Sequence, residues 1–244
     1  MRNIALIISY DGAGYFGYQT QEGFITIQQV MEESISKMTK EKITVYGCGR
    51  TDTGVHALNY LLTFKTNSSV PTDRIPYALN ALLPDDITVK EAFDADEDFH
   101  GRFSVKRKTY VYRILNTEFA DPFRAKYTWH YKYFLDIEKM KEAASHIVGE
   151  KDFACFMASG GQVKTTVRNV DELKIEKDGD EIVISISSNG FLYNMVRIIT
   201  GTLVYVGCGK LLPEDLIEII NSKDRRKAGI TAPPNGLYLK SVEY

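Results

Sequence analysis

The stretch GCGRTDTGVHAL, residues 47–58, sets Arg50, Asp52 and His56 among Gly47, Gly49 and Gly54 and runs directly into a β-rich apolar segment. Four readings fit such a loop: a metal site, a nucleic-acid contact, a catalytic carboxylate on a tight turn, or a polar hairpin turn. The glycines let the backbone bend sharply and let a ligand come close. In an extended segment Arg50 and Asp52, two residues apart, point the same way. Spacing alone favours an ordinary turn with an Asx hydrogen bond, because Asp-Thr-Gly triplets make such turns readily. A nucleophilic or acid–base carboxylate with a cation beside it is the second reading.

Outward from this loop the pattern alternates. Residues 4–10 read as a strand that stops at Asp11-Gly12. Thr26 opens a helix with Gln29 three residues on, the spacing of a capping box. Ile27, Val30, Met31, Ile35 and Met38 give that helix one apolar face. A strand over 58–65, a helix over 73–83 ended by Pro84, and a strand over 87–93 complete a β-α-β-α-β order, with the polar loop leading into a central strand. A charged stretch, 94–108, follows. Strands are then expected over 110–115 and 127–131, and a helix from Asp136 carrying Ile137, Met140, Ala144 and Ile147. Segments 170–175 and 181–188 alternate around Lys177-Asp178-Gly179-Asp180, a hairpin signal. An apolar helix over 193–206, a short one over 213–220 with Pro at its start, and a strand over 237–242 close the chain. Both halves mix strands and helices, so the expected fold is α+β in two halves, 1–104 and 105–244, sharing one sheet.

Composition narrows the function. At 244 residues and 44% hydrophobic content, one large or two small domains are expected. The net charge of -2 argues against a surface coated in basic charge but leaves room for a local basic groove. Cys48, Cys155 and Cys208 are far apart and odd in number. They fit no disulfide framework, and free, packed thiols in a reducing cytoplasm are the favoured reading. The N-terminal apolar run is too short for a signal peptide or a membrane span. His56, His100, His130 and His146 show no i+3 to i+5 pairing, so a dedicated zinc site is discarded. No phosphate-binding GxxxxGK[ST] and no nucleophile elbow is present.

Three further stretches carry chemistry. RFSVKRKTYVYRI, 102–114, sets Arg102, Lys106, Arg107, Lys108 and Arg113 among Phe103, Tyr110 and Tyr112. Cations beside stackable rings suit RNA; a solvated strand entrance with Tyr110 or Tyr112 in the core is the alternative. SKDRRKAG, 222–229, is a second basic cluster of the kind that more often ends a helix in solvent. NGFLYNMVRIITG, 189–201, places Arg197 inside an apolar helix. Such a guanidinium either snorkels outward or has a carboxylate partner, because a lone buried charge is very costly.

GRTDTGVHA, KRKTYVYRI, GFLYNMVRIITGTL and AGITAPPNGLYL, in this order, together with YDGAGYFGYQTQ and KDFACFMAS, resemble the tRNA pseudouridine synthase A family over nearly the whole chain. The resemblance implies a pseudouridine synthase fold: two ferredoxin-like halves with an extended antiparallel sheet and a cleft between them. It implies isomerisation of uridine in the anticodon stem-loop of tRNA, at positions 38 to 40, by a cytoplasmic homodimer that grips each tRNA across both protomers. Asp52 is then the catalytic aspartate and Arg197 its paired cation. Tyr110 stacks on the target uracil, and Arg50 fills the stack when the base leaves. No cofactor and no metal are implied, since the bond changes are internal to the nucleotide. The sequence departs from the family pattern at Tyr18, Cys48 and Met157. Two rivals stay open: a non-catalytic RNA-binding protein of the same shape, and a carboxylate-dependent hydrolase that releases uracil.

Overall fold

The structure is a computed structural model that describes residues 1–161 and 163–244. The chain divides into two compact units, one formed by Met1–Lys106 with Tyr238–Tyr244 and the other by Arg107–Leu237. The last seven residues thus pack with the first unit, although the sequence expectation grouped them with 105–244.

The first unit is built on β1 (Arg2–Tyr10), flanked antiparallel by β3 (His56–Thr66) and β4 (Ile87–Ala95). The short β2 (Tyr46–Gly47) pairs antiparallel with β3, and β10 (Leu237–Glu243) joins β3 in parallel at Tyr238 and Leu239. Ile4, Leu6 and Ile8 of β1 and Leu61, Leu62 and Phe64 of β3 are completely buried. Helix α1 (Ile27–Thr39) buries Ile27, Met31 and Ile35, spaced four apart and so aligned on one face. Burial of each such side chain is worth about 1.5–3 kcal/mol. The predicted capping box is half made: Thr26 Oγ1 accepts from the Gln29 N–H at 3.4 Å, but the Gln29 amide donates to Glu33 instead. The helix expected over 73–83 shortens to α2 (Ile75–Asn80), behind a 3-10 turn at Thr72–Arg74. Asn80 ends it, because its side chain turns away to exchange two hydrogen bonds with the Val89 backbone.

The second unit carries the antiparallel strands β5 (Arg107–Leu115), β9 (Glu181–Ser188), β8 (Val167–Asp178) and β7 (Gly149–Asp152), adjacent in that order. The hairpin signal is borne out with a tighter turn: Asp178 pairs with Glu181, and Gly179, at φ +56°, opens the two-residue turn. The strand expected over 127–131 contracts to β6 (Trp129–His130), because the N–H groups of Tyr127 and Thr128 donate back to the Arg124 carbonyl. Helices α3 (Ile137–Ser145), α4 (Met195–Gly207) and α5 (Asp215–Ser222) complete the unit. Helix α3 starts where the sequence reading put it, and Asp136 caps it, its carboxylate accepting from the Lys139 N–H. Helix α4 begins after Asn194, which sits in the left-handed region at φ 60°. Every residue of α4 is buried except Arg197 and Tyr205.

Candidate active site

In the first unit the 47–58 loop forms a tight turn. The Asp52 carbonyl accepts from the Val55 N–H at 3.1 Å, and Gly54 lies at φ +77°, where a side chain would be strained. A turn is therefore present, closed by the Asp52 backbone carbonyl, and it holds Asp52 half-buried with Arg50 exposed.

The turn is tied down from both flanks by residues whose roles sequence reasoning missed. Thr51 is buried, and its hydroxyl meets the Tyr10 hydroxyl at 2.9 Å. The Tyr60 phenol donates to the Gly49 carbonyl. Burial holds the Tyr60 hydroxyl well above its ordinary pKa, so it stays a donor. Tyr18 stacks on Tyr60 at 4.4 Å between centroids. Two glycines of YDGAGYFGY let the N-terminal segment lie directly on the loop. A Cβ at Gly12 would stand 2.0 Å from the Val55 carbonyl oxygen, and one at Gly17 would stand 2.6 Å from that of Thr51. The Tyr18 N–H donates to the same Thr51 carbonyl at 3.1 Å. The Gly-rich signal was visible; its purpose, close approach to a loop 40 residues away, was not.

His56 is not a surface ligand but a buried brace. Its ring stacks on Tyr238 at 4.7 Å, and its Nδ1 lies 3.1 Å from the Gly12 N–H and 3.0 Å from Asp11 Oδ1. A bare Nδ1 accepts from Gly12, while a protonated one donates to Asp11. Among the described residues no group of three or more His, Cys, Asp or Glu side chains is placed to hold a metal.

In the second unit β5 turns Tyr110, Tyr112 and Ile114 to one buried face. Tyr110 keeps 9% of its surface exposed and meets Phe191 edge-on at 5.1 Å. Tyr112 is fully buried and donates to the Pro233 carbonyl at 2.7 Å. Its pKa is pushed up by burial against a smaller downward pull from the Arg197 charge. Arg197 is half-buried and held in a fork: Nε donates to the Ala232 carbonyl at 2.7 Å, and one terminal nitrogen donates to Asn194 Oδ1 at 2.8 Å. Arg197 is thus held by its neighbours rather than freely snorkelling.

The segment leading to Ala232 lies against α4. Ala232 N–H donates to the Arg197 carbonyl at 3.0 Å, and the Gly229 N–H donates to Thr202 Oγ1 at 2.9 Å. A Cβ at Gly201 would stand 1.9 Å from the Ile230 carbonyl oxygen. The run AGITAPPNG is thus the strap that fixes the Arg197 guanidinium.

The basic clusters divide on inspection. Arg113 binds Glu181 at 2.6 Å, Arg107 binds Asp171 at 2.9 Å, and Arg226 binds Asp224 at 2.7 Å. Arg225 donates to the Gly229 carbonyl at 2.8 Å and to Thr231 at 3.1 Å, so it braces the strap. Lys106 is exposed and Lys108 half-buried. Cys48 and Cys155 are completely buried, and burial pushes the Cys155 thiol up to about 12. Both behave as packing residues.

The chain matches the sequence profile described as tRNA pseudouridine synthase over residues 6–104 and 143–244. It is 52% identical to tRNA pseudouridine synthase A of Thermoanaerobacter sp. (strain X514), 50% identical to tRNA pseudouridine synthase A 2 of Clostridium perfringens, and 46% identical to tRNA pseudouridine synthase A of Acetivibrio thermocellus. Each alignment covers 100% of both chains. The α+β architecture, the Gly-flanked Asp52 turn and the strapped Arg197 therefore belong to a chain of known kinship: it is a member of the tRNA pseudouridine synthase family.

Proposed function

We propose that Asp52 is the catalytic aspartate of this isomerase and that its target uridines lie at positions 38 to 40 of the tRNA anticodon stem-loop. As a family member the chain converts uridine to pseudouridine in tRNA. The N1–C1′ bond breaks, the uracil turns, C5 bonds to C1′, and the C5 proton leaves while N1 gains one. The nucleotide's composition is unchanged. The target base has to leave the stack before any of these atoms is reached.

The observation that carries the assignment is the Asp52 turn. It presents a half-buried carboxylate on a backbone pinned by Tyr10, Tyr18 and Tyr60. Preorganisation of this kind is what a nucleophile or a ribose-proton acceptor needs. By the family resemblance Arg197 is the cation paired with Asp52, Tyr110 stacks on the uracil, and Arg50 enters the vacated stack. Two copies grip each tRNA, and the enzyme works in the cytoplasm. These roles follow from the family resemblance; the fork on Arg197 and the small exposed face of Tyr110 support them.

The test is Asp52→Asn. The expected protein is folded, binds an anticodon stem-loop transcript as the parent does, and forms no measurable pseudouridine. Loss of a principal catalytic group typically lowers rate by orders of magnitude. Retained isomerisation would return Asp52 to a turn-forming role. Release of free uracil by the parent would favour a hydrolase, and binding without any change in the RNA a non-catalytic binder.

A further inference from the structure

We propose that the exposed pair Phe16 and Phe24 is a stacking platform for an RNA base that neighbours the target nucleotide. The inference rests on the reading that the Asp52 turn meets RNA.

The pair sits on a small hairpin of the first unit. The Phe16 N–H donates to the Ile25 carbonyl at 3.0 Å, the Gln21 amide donates to the Phe16 carbonyl at 2.9 Å, and Gln21 bridges Phe24. Its inward residues are committed to the core. Tyr15 and Tyr18 are 6% and 4% exposed, and the Tyr15 hydroxyl donates to Asp86. Phe16 and Phe24 turn the other way. Their rings lie 4.3 Å apart, each remains nearly half exposed, and Ile25 beside them is 61% exposed. An apolar cluster left in water at such a place marks a contact surface.

Its position names the occupant. Gly17, the next residue after Phe16, lies on the backbone of Thr51, Asp52 and Thr53, so RNA reaching Asp52 passes beside the pair. Chemistry narrows the mode of contact. Between Gly12 and Thr26 the chain carries Glu22 and no cation. This segment offers a phosphate no cation, whereas it offers a base two π-faces, a sequence-tolerant interaction worth about tenfold in affinity.

The test compares Phe16→Ala, Phe16→Leu, Phe16→Trp and Phe24→Ala. Each variant is titrated with an anticodon stem-loop transcript at several salt concentrations, with melting temperature and sedimentation as controls. Phe16→Ala, Phe16→Leu and Phe24→Ala should each weaken binding about tenfold. Phe16→Trp should bind as the parent does, and the salt slope should stay constant throughout. Recovery by Leu would reduce the pair to apolar packing and overturn the inference. So would unchanged affinity in every variant, an altered salt slope, or a loss of self-association in Phe16→Ala. The titration needs no turnover. A parent that makes no pseudouridine would therefore sink the role of Asp52 while leaving the platform measurable.

Discussion

Replacing Gly201 by Ala should destabilise this protein, although the substitution normally favours a helix. In a helix interior Ala is about 1 kcal/mol better than Gly. Here the added Cβ would lie 1.9 Å from the Ile230 carbonyl oxygen and 2.9 Å from its carbon. Backbone cannot move aside as a flexible side chain can, so the strap has to lift from α4. Lifting it threatens three hydrogen bonds: Gly229 to Thr202, Ala232 to the Arg197 carbonyl, and Arg197 Nε to the Ala232 carbonyl. Each is worth about 0.5–1.5 kcal/mol net. Subtracting the helix gain leaves a loss of about 0.5–3.5 kcal/mol, which in a protein of this size lowers Tm by roughly 1–14 °C. Thermal unfolding followed by near-UV circular dichroism reads this directly. Single-turnover pseudouridine formation should fall as well, because the guanidinium loses the Ala232 arm of its fork and keeps only the Asn194 one. A Tm equal to or above that of the parent would refute the reasoning, since the helix gain would then have outweighed the clash.

Tyr60→Phe removes the donor to the Gly49 carbonyl while keeping the stack on Tyr18; turnover should fall severalfold with stem-loop affinity intact, and an unchanged rate would release Tyr60 from positioning the loop. Asp152 is held below the usual carboxylate range by its hydrogen bond to Lys223 and then by Thr166. A depressed folded pKa contributes stability above the unfolded value of about 4, and loses it as pH falls through the folded value. Asp152→Asn should therefore melt lower than the parent at neutral pH and converge with it as pH falls through the depressed folded value, and a gap that stays constant into acid would contradict the assignment. Lys106→Gln should reduce the slope of log affinity against log salt by about one unit, whereas Arg225→Gln should mainly lower Tm, because Arg225 is engaged with the strap.

The sequence made the elements legible where one period dominated: β1, α1, the β8–β9 hairpin and α3 all stand close to where the pattern put them. It failed where a single side chain or carbonyl decided the boundary. Asn80 cut α2 short by bonding Val89, and the Arg124 carbonyl took the N–H groups that would have extended β6. The candidate site was legible as residues but not as a device. Asp52 and Arg197 were visible as unusual. Their supports, Tyr10, Tyr60, Asn194 and Ala232, are ordinary residues made special only by partners distant in the chain. A cation's partner in space, such as Glu181 for Arg113, likewise leaves no trace in its neighbours in sequence.

The return of β10 to the first unit has a consequence for the order of assembly. Asn59 of β3 donates to the Lys240 carbonyl, a partner 181 residues away. At about 5–20 residues per second of synthesis, the nascent first unit waits on the order of ten seconds or more for the strand that pairs with β3 at His56 and Ala57. The whole second unit is made during that interval and is free to fold, since its sheet and helices are complete within Arg107–Leu237. The unit begun first is therefore the one finished last, and through that interval the β3 edge beside the Asp52 turn is open to any other extended chain.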